Sequence, residues 1–295
     1  MSTMNYLRCM LLALCVCMMH TARAQSDSLS TDTLHDAEIR LMGLGEKMIL
    51  SYDENERLLC SRNFLITLSR ALRINRSYFY RFDSLKYISI LYSPDRAFRI
   101  FSWNVALNNE TFHNFGVIQL NPDYMATLKD TSHLRAVYPL IDRSGRIKNT
   151  LDTVTGPDFW FGAVYYQLHM VKEKKRTYYF LIGWNGGTQL TNKKVVDVLY
   201  FDHNRPRFGA PVFVMNEARY PRPLKRLLYE YSNKGTMTLR VSPKKNYLII
   251  ENIVPPRQQD YGHPETYLPD GSYEYMLWQK GQWHKKGPLR DFDLE

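Results

Sequence analysis

The sequence predicts a mainly β fold with N-terminal helices, an α+β chain whose larger part forms an antiparallel sandwich, barrel or strongly curved sheet. Three observations carry this reading. Two helix-period patterns stand near the N-terminus. From about Tyr87 the texture changes to short aromatic and β-branched runs divided by turn residues. No alternating strand–helix rhythm follows, which argues against a doubly wound fold. Aromatic residues make up 14% of the 295 positions, a further bias toward strands.

The chain opens on the layout of a secretory signal. Arg8 closes a short polar start, residues 9–19 are unbroken apolar, and Ala22-Arg23-Ala24 is a small-x-small cleavage site before Gln25. The apolar run is too short for a stable membrane span. Residues 1–24 are therefore expected to be a cleaved signal peptide, which places the mature chain in the periplasm or outside the cell. Leu14 is large where a lipobox needs a small residue, which argues against lipidation of Cys15. Cleavage also removes Cys9, Cys15 and Cys17. Of the four cysteines only Cys60 then stays, too few for an internal disulfide.

Residues 25–33, rich in Ser, Thr and Asp, read as a flexible lead-in, and residues 34–86 as a helical segment packed on the main domain. Leu34, Ala37, Leu41, Leu44 and Met48 share one helical face; Leu58, Leu65, Leu68 and Leu72 share another, with Asp53 as N-cap. Cys60 falls on the flank of the second helix and reads as a small apolar residue.

Residues 87–295 read as one antiparallel β-rich domain. The turn Ser93-Pro94-Asp95-Arg96 leads into a strand at 98–103, and Asn108-Asn109 links it to another at 115–120. Residues 124–149 read as a helical or loop interlude. The clearest hairpin follows. Trp160, Gly162, Val164, Tyr166, Leu168 and Met170 are expected on one strand face, residues 172–176 form the charged tip, and 178–184 return. Runs at 195–201, 211–215, 227–231, 237–241, 247–253 and 273–278 continue the series. Pro269-Asp270-Gly271-Ser272 reads as a turn, and Lys244-Lys245 as a hairpin tip.

Several blocks carry a resemblance. Residues 98–104, 178–187 and 208–213, Asn192-Lys193-Lys194-Val195, Lys225-Arg226 with Glu230-Tyr231-Ser232, and residues 267–273 resemble a family of uncharacterised exported proteins of bacteria with an outer membrane. The similarity spans roughly residues 88–280. It implies an exported location and one continuous domain; the family carries no activity or ligand to transfer.

The chemistry was sought residue by residue. No Gly-x-Ser-x-Gly elbow, Walker-type loop, His-Glu-x-x-His or Cys-x-x-Cys is present, so no cofactor or metal is implied. His169 is expected at the surface beside Gln167. Glu217, Glu230, Glu251, Asp197 and Asp260 are the carboxylates from which a glycosidase pair would have to come. Trp184-Asn185-Gly186-Gly187-Thr188-Gln189 offers an indole face with neighbouring amides, the groups that recognise sugars or peptides, and the Trp-Asn echo at Trp103 repeats it. Trp184, Asn185, Gln189 and Trp103 are thus the candidate ligand contacts.

Arg205, Arg207, Arg219, Arg222, Lys225 and Arg226 form a basic strip opposed locally by Glu217 alone, a candidate dock for an anion or an acidic partner. The formal net charge of +10 falls to +8 once Arg8 and Arg23 leave with the leader. Export argues against nucleic acid as the polyanion. The preferred expectation is an exported, non-enzymatic binding or interaction module of the cell envelope, its partner an envelope polymer or protein. A hydrolase of glycans or other envelope polymers with an Asp/Glu pair, and a structural accessory of an envelope assembly, are the alternatives.

Overall fold

A computed structural model describes residues 30–132, 134–174, 176–242 and 246–289. The expected signal peptide, residues 25–29 of the lead-in and the Lys244-Lys245 tip lie outside the described residues. The first helix, α1 (30–50), buries Leu34, Leu41 and Met48 on the expected stripe. It already runs at residue 30, so positions 30–33 are helical rather than lead-in, and their Ser, Thr and Asp suit a helix start. The second, α2 (Glu54–Ala71), is capped as expected: the Asp53 carboxylate accepts the Asn55 N–H at 3.0 Å. Cys60 is buried in it, and burial pushes its thiol pKa up.

The chain is mainly β, with 41% of the described residues in strands and 23% in helices. Three sheets form. The first contains β1 (Ser89–Tyr92), β2 (Phe98–Ala106), β3 (Phe112–Leu120) and β4 (Val137–Ile141) in that order, and the short helix α3 (Pro122–Ala126) lies between its last two strands in sequence. The second runs β10 (Leu227–Ser232), β7 (Thr191–Asp202), β6 (Thr177–Asn185), β5 (Val164–Lys172), with β8 (Arg205–Phe208) also paired to β7. The third runs β11 (Leu239–Ser242), β12 (Tyr247–Val254), β13 (Leu268–Gln279), β14 (Gln282–Pro288), β9 (Phe213–Val214). Neighbouring strands are antiparallel except β14 and β9, which are parallel. The sheets stay open, so the barrel alternative is not realised.

These elements stack as four layers, with the helices outermost. Phe64, Leu68 and Leu72 pack on Phe101, Trp103 and Val117 of the first sheet. The opposite face of that sheet, through Phe98, Ile100 and Ile118, meets Tyr179, Leu181, Val195 and Leu199 of the second. The other face of the second sheet, through Phe180, Ile182, Val196 and Val198, meets Leu248, Ile250, Met276 and Trp283 of the third. The second sheet is therefore buried on both faces, and its strands read as continuous apolar runs rather than alternations.

Several expectations are corrected. The interlude at 124–149 holds a strand, β4, whose Pro139 is tolerated because β4 is an edge. β5 begins at Val164, and a bulge between Tyr165 and Gln167 switches its faces. As a result Tyr165 joins Leu168 and Met170 against the first sheet, while Tyr166 and Gln167 both reach the third, bonding to Leu239 O (2.7 Å) and Val241 O (2.8 Å). The same switch turns His169 inward, between the rings of Phe180 and Trp283, where its Nε2 is buried without a partner. The Pro269–Ser272 turn is a bulge inside β13, with Gly271 at φ 78° and Asp270 bonding Ser272.

One ion pair is wholly interior. Arg226 and Asp197 are both 0% exposed, with Nε 3.0 Å from Oδ1. The guanidinium also donates to Thr150 O at 2.8 Å and lies over the Phe161 ring, and Asp197 accepts from the Tyr165 hydroxyl at 3.4 Å. Arg226→Met, which strands a buried carboxylate, is expected to lower unfolding free energy by about 3–5 kcal/mol, with much of the loss restored in Asp197→Leu/Arg226→Met. Urea midpoints of the three proteins check this.

Burial also holds the His169 pKa below the usual histidine value. The unfolded chain therefore takes up this proton first. Stability contributed by neutral His169 should be complete above about pH 6.5 and decline as pH falls from there toward the lowered folded pKa. Melting curves across that window should flatten in His169→Phe.

Candidate functional site

The β7–β8 hairpin builds one wall of a broad cleft. His203 and Asn204 take left-handed φ of 46° and 60°, the pair of conformations a two-residue hairpin turn requires. Beyond the turn, side chains alternate: Pro206 and Phe208 are buried, while Arg205 and Arg207 stand on the other face. Phe208 exchanges both backbone hydrogen bonds with Thr155, at 2.8 and 3.0 Å, which carries residues 156–159 alongside. Gly156 lies against Arg207, where a Cβ would make ordinary van der Waals contact with Nη1 at 3.7 Å.

The opposite wall is β4. The Tyr138 hydroxyl accepts the Arg135 N–H at 3.0 Å and donates to Asn204 O at 3.3 Å, tying the loop that bears Arg135 to the hairpin turn. The enclosed cleft has a volume of about 660 Å³ and is lined by Arg135, Arg205 and Arg207 against one acid, Asp158, with Phe159 and Leu134 adding apolar area. None of the three guanidinium groups has an ion pair or hydrogen bond among the described residues. Planar guanidinium forks match carboxylate, phosphate or sulfate oxygens in bidentate fashion.

Only two residues of the basic strip, Arg205 and Arg207, meet here. Arg226 is the interior partner of Asp197 and cannot dock anything. Lys225 pairs with Asp152 at 2.9 Å, Arg219 with Glu217 at 2.7 Å, and Arg222 is exposed outside the cleft. Sequence adjacency was a poor guide because Arg226, just before β10, turns into the interior beside Asp197 while Arg205 and Arg207 stand on the outer face of β8. Arg135 carries no such signal in the sequence, where it stands alone between Leu134 and Ala136 within the expected interlude.

The tryptophan-and-amide candidates do not converge either. Trp103 is 1% exposed, stacked on Phe115 with its Nε1 donating to Ser61 Oγ at 2.8 Å. Asn185 is 7% exposed and spent on backbone, donating to Gly162 O at 2.7 Å and accepting from Gly187 N at 2.9 Å. Half-buried Trp184 packs edge-on against Phe112, and Gln189 is exposed. Gly186 makes room for Phe112: a Cβ there would fall 1.9 Å from that ring.

Three of the candidate carboxylates do meet. Glu217, Glu230 and Glu251 line a cleft between the second and third sheets. Burial works to raise the Glu217 pKa, but hydrogen bonds from Lys285 and Arg219 outweigh it and hold the carboxyl below its usual range. A glycosidase general acid needs the reverse. Asp260 lies elsewhere, paired with Arg257 at 3.0 Å.

Among the described residues no helix is long and apolar enough to cross a membrane. Compared with protein-family models, curated proteins and solved structures, the chain matches none. Asn185→Ala removes the partners of two backbone groups and should cost about 1–3 kcal/mol of stability while leaving anion binding by the arginine cleft unchanged. Denaturant midpoint and titration, measured on one preparation, separate the two effects.

Proposed function

We propose that the chain is an exported, non-enzymatic binding module of the bacterial envelope that holds an anionic group of an envelope polymer or protein partner in the arginine cleft. The observation that carries this is the gathering of Arg135, Arg205 and Arg207, none with a partner among the described residues, on one concave surface. Unpaired guanidinium groups lining one cleft are exposed charge that an anion's oxygens can satisfy. The net charge of +10 adds a general attraction for polyanions. The leader-like start and the family resemblance support the exported setting.

Calorimetric titration with pyrophosphate and with dextran sulfate tests the reading. Binding is expected to weaken steeply with added salt, as exposed charge pairs do. Each lost charge-assisted contact is worth about 1.5–3 kcal/mol, so Arg207→Ser should weaken binding by about tenfold or more. Equal binding by wild type and the Arg135→Ser/Arg205→Ser/Arg207→Ser triple variant would sink the proposal.

A further inference from the structure

The cleft between β10 and strands β12 to β14 differs in kind from the arginine cleft. Its volume is about 390 Å³, within the range of small-molecule sites. Four tyrosines, Tyr220, Tyr229, Tyr261 and Tyr267, stand in its lining among aliphatic side chains such as Leu228 and Ile253. Tyr261 is 71% exposed at the rim. The Tyr267 hydroxyl accepts the Gly262 N–H at 2.9 Å, which ties the loop bearing Tyr261 to the start of β13.

Three of the four carboxylates around these rings, Glu217, Glu230 and Glu274, are paired with cations. Lys285 Nζ lies 3.0 Å from Glu217 Oε1 and 2.9 Å from Glu274 Oε2, bridging the two carboxylates. Glu230 accepts from Thr191 Oγ1 at 2.6 Å and is 3.5 Å from Lys193 Nζ. Glu251 accepts the Thr238 N–H at 2.6 Å. Burial, with Glu274 and Glu217 close by, keeps the Tyr229 phenol protonated and so a donor.

A cationic ligand would have to compete with lysine and arginine for three of these carboxylates, and an anionic one would meet all four. A neutral polyol meets neither obstacle. Its hydroxyls donate to the spare lone pairs of the paired carboxylates and accept from Tyr229 and Lys285. Its C–H faces lie against tyrosine rings. From this juxtaposition we infer that the tyrosine–glutamate cleft is a binding site for a neutral carbohydrate. The inference rests on different strands and different residues from the anion reading, and either stands without the other.

The test is calorimetric titration of the full chain with neutral tetrasaccharides of glucose, mannose, galactose and N-acetylglucosamine. At least one is expected to bind with a Kd of about 1 mM or tighter. Exposed Tyr261→Ala, and Tyr229→Phe, which removes only a hydroxyl, should each weaken that binding about tenfold, whereas Arg207→Ser should leave it unchanged. No saturable binding by any of the four sugars would overturn the inference. So would binding that both tyrosine variants retain at wild-type strength.

Discussion

A sheet covered on both faces leaves its polar groups nowhere to go, and this constraint governs the chain. β6 and β7 send Tyr179, Leu181, Val195 and Leu199 one way and Phe180, Ile182, Val196 and Val198 the other. Within that apolar run sits Asp197, an ion whose burial costs several kcal/mol unless it is paired. Pairing of Leu227 with Val196 sets Arg226 beside it. Slipping β10 by one residue would part the two charges and reverse every side chain on the strand. The same pair reaches Tyr165 and, through its hydroxyl, Trp160 Nε1 at 2.9 Å, so it ties β5 and the segment before it into one network.

The other layers are held by a second buried cation of a different kind. Arg99 is 0% exposed and faces no carboxylate. It donates to Ser77 O, Tyr80 O, Gln119 Oε1 and the Tyr92 hydroxyl, at 2.6 to 2.8 Å, with Phe82 and Phe101 rings beside it. Burial draws its pKa down. Carbonyl dipoles and ring faces thus replace water for this guanidinium, and the loop after α2 is pinned to β2. Both clefts sit apart from these interior networks, where strands and loops leave the stack: β8 and β4 frame one, the gap between the second and third sheets frames the other.

Much of the fold was legible because it is local. The 3.6-residue stripe of α1, the Asp53 cap and the β5–β6 hairpin with its charged tip are each set by residues close in sequence. Bulges were not, since one extra residue at Tyr166 switches the faces of β5 and two around Gly271 shift the register of β13, neither altering composition. Site residues were legible only where alternation ruled them, as for Arg205 and Arg207. Trp103, Asn185 and Arg226 misled because the sequence shows a polar or aromatic group but not the neighbour that consumes it: Ser61, Gly162 and Asp197 are each distant along the chain. The tyrosine cleft draws on four strands and several loops, and no window of sequence contains it.

The parallel contact of β14 with β9 sets an order on assembly. Trp283, itself 0% exposed, pairs with Phe213 and donates its backbone N–H to Val212 O at 2.7 Å. β14 also lies between β13 and β9 in the sheet. The third sheet therefore cannot close until the chain has been made through β14. Before that moment, Phe180 and its neighbours on the second sheet face outward, although the helices and the first sheet have everything they need to pack. A chain emerging from its N-terminus would thus carry a finished half and an adhesive half at once. That half-built state calls for a holding factor or swift completion, since long-range strand pairing is slow and its exposed edges invite aggregation.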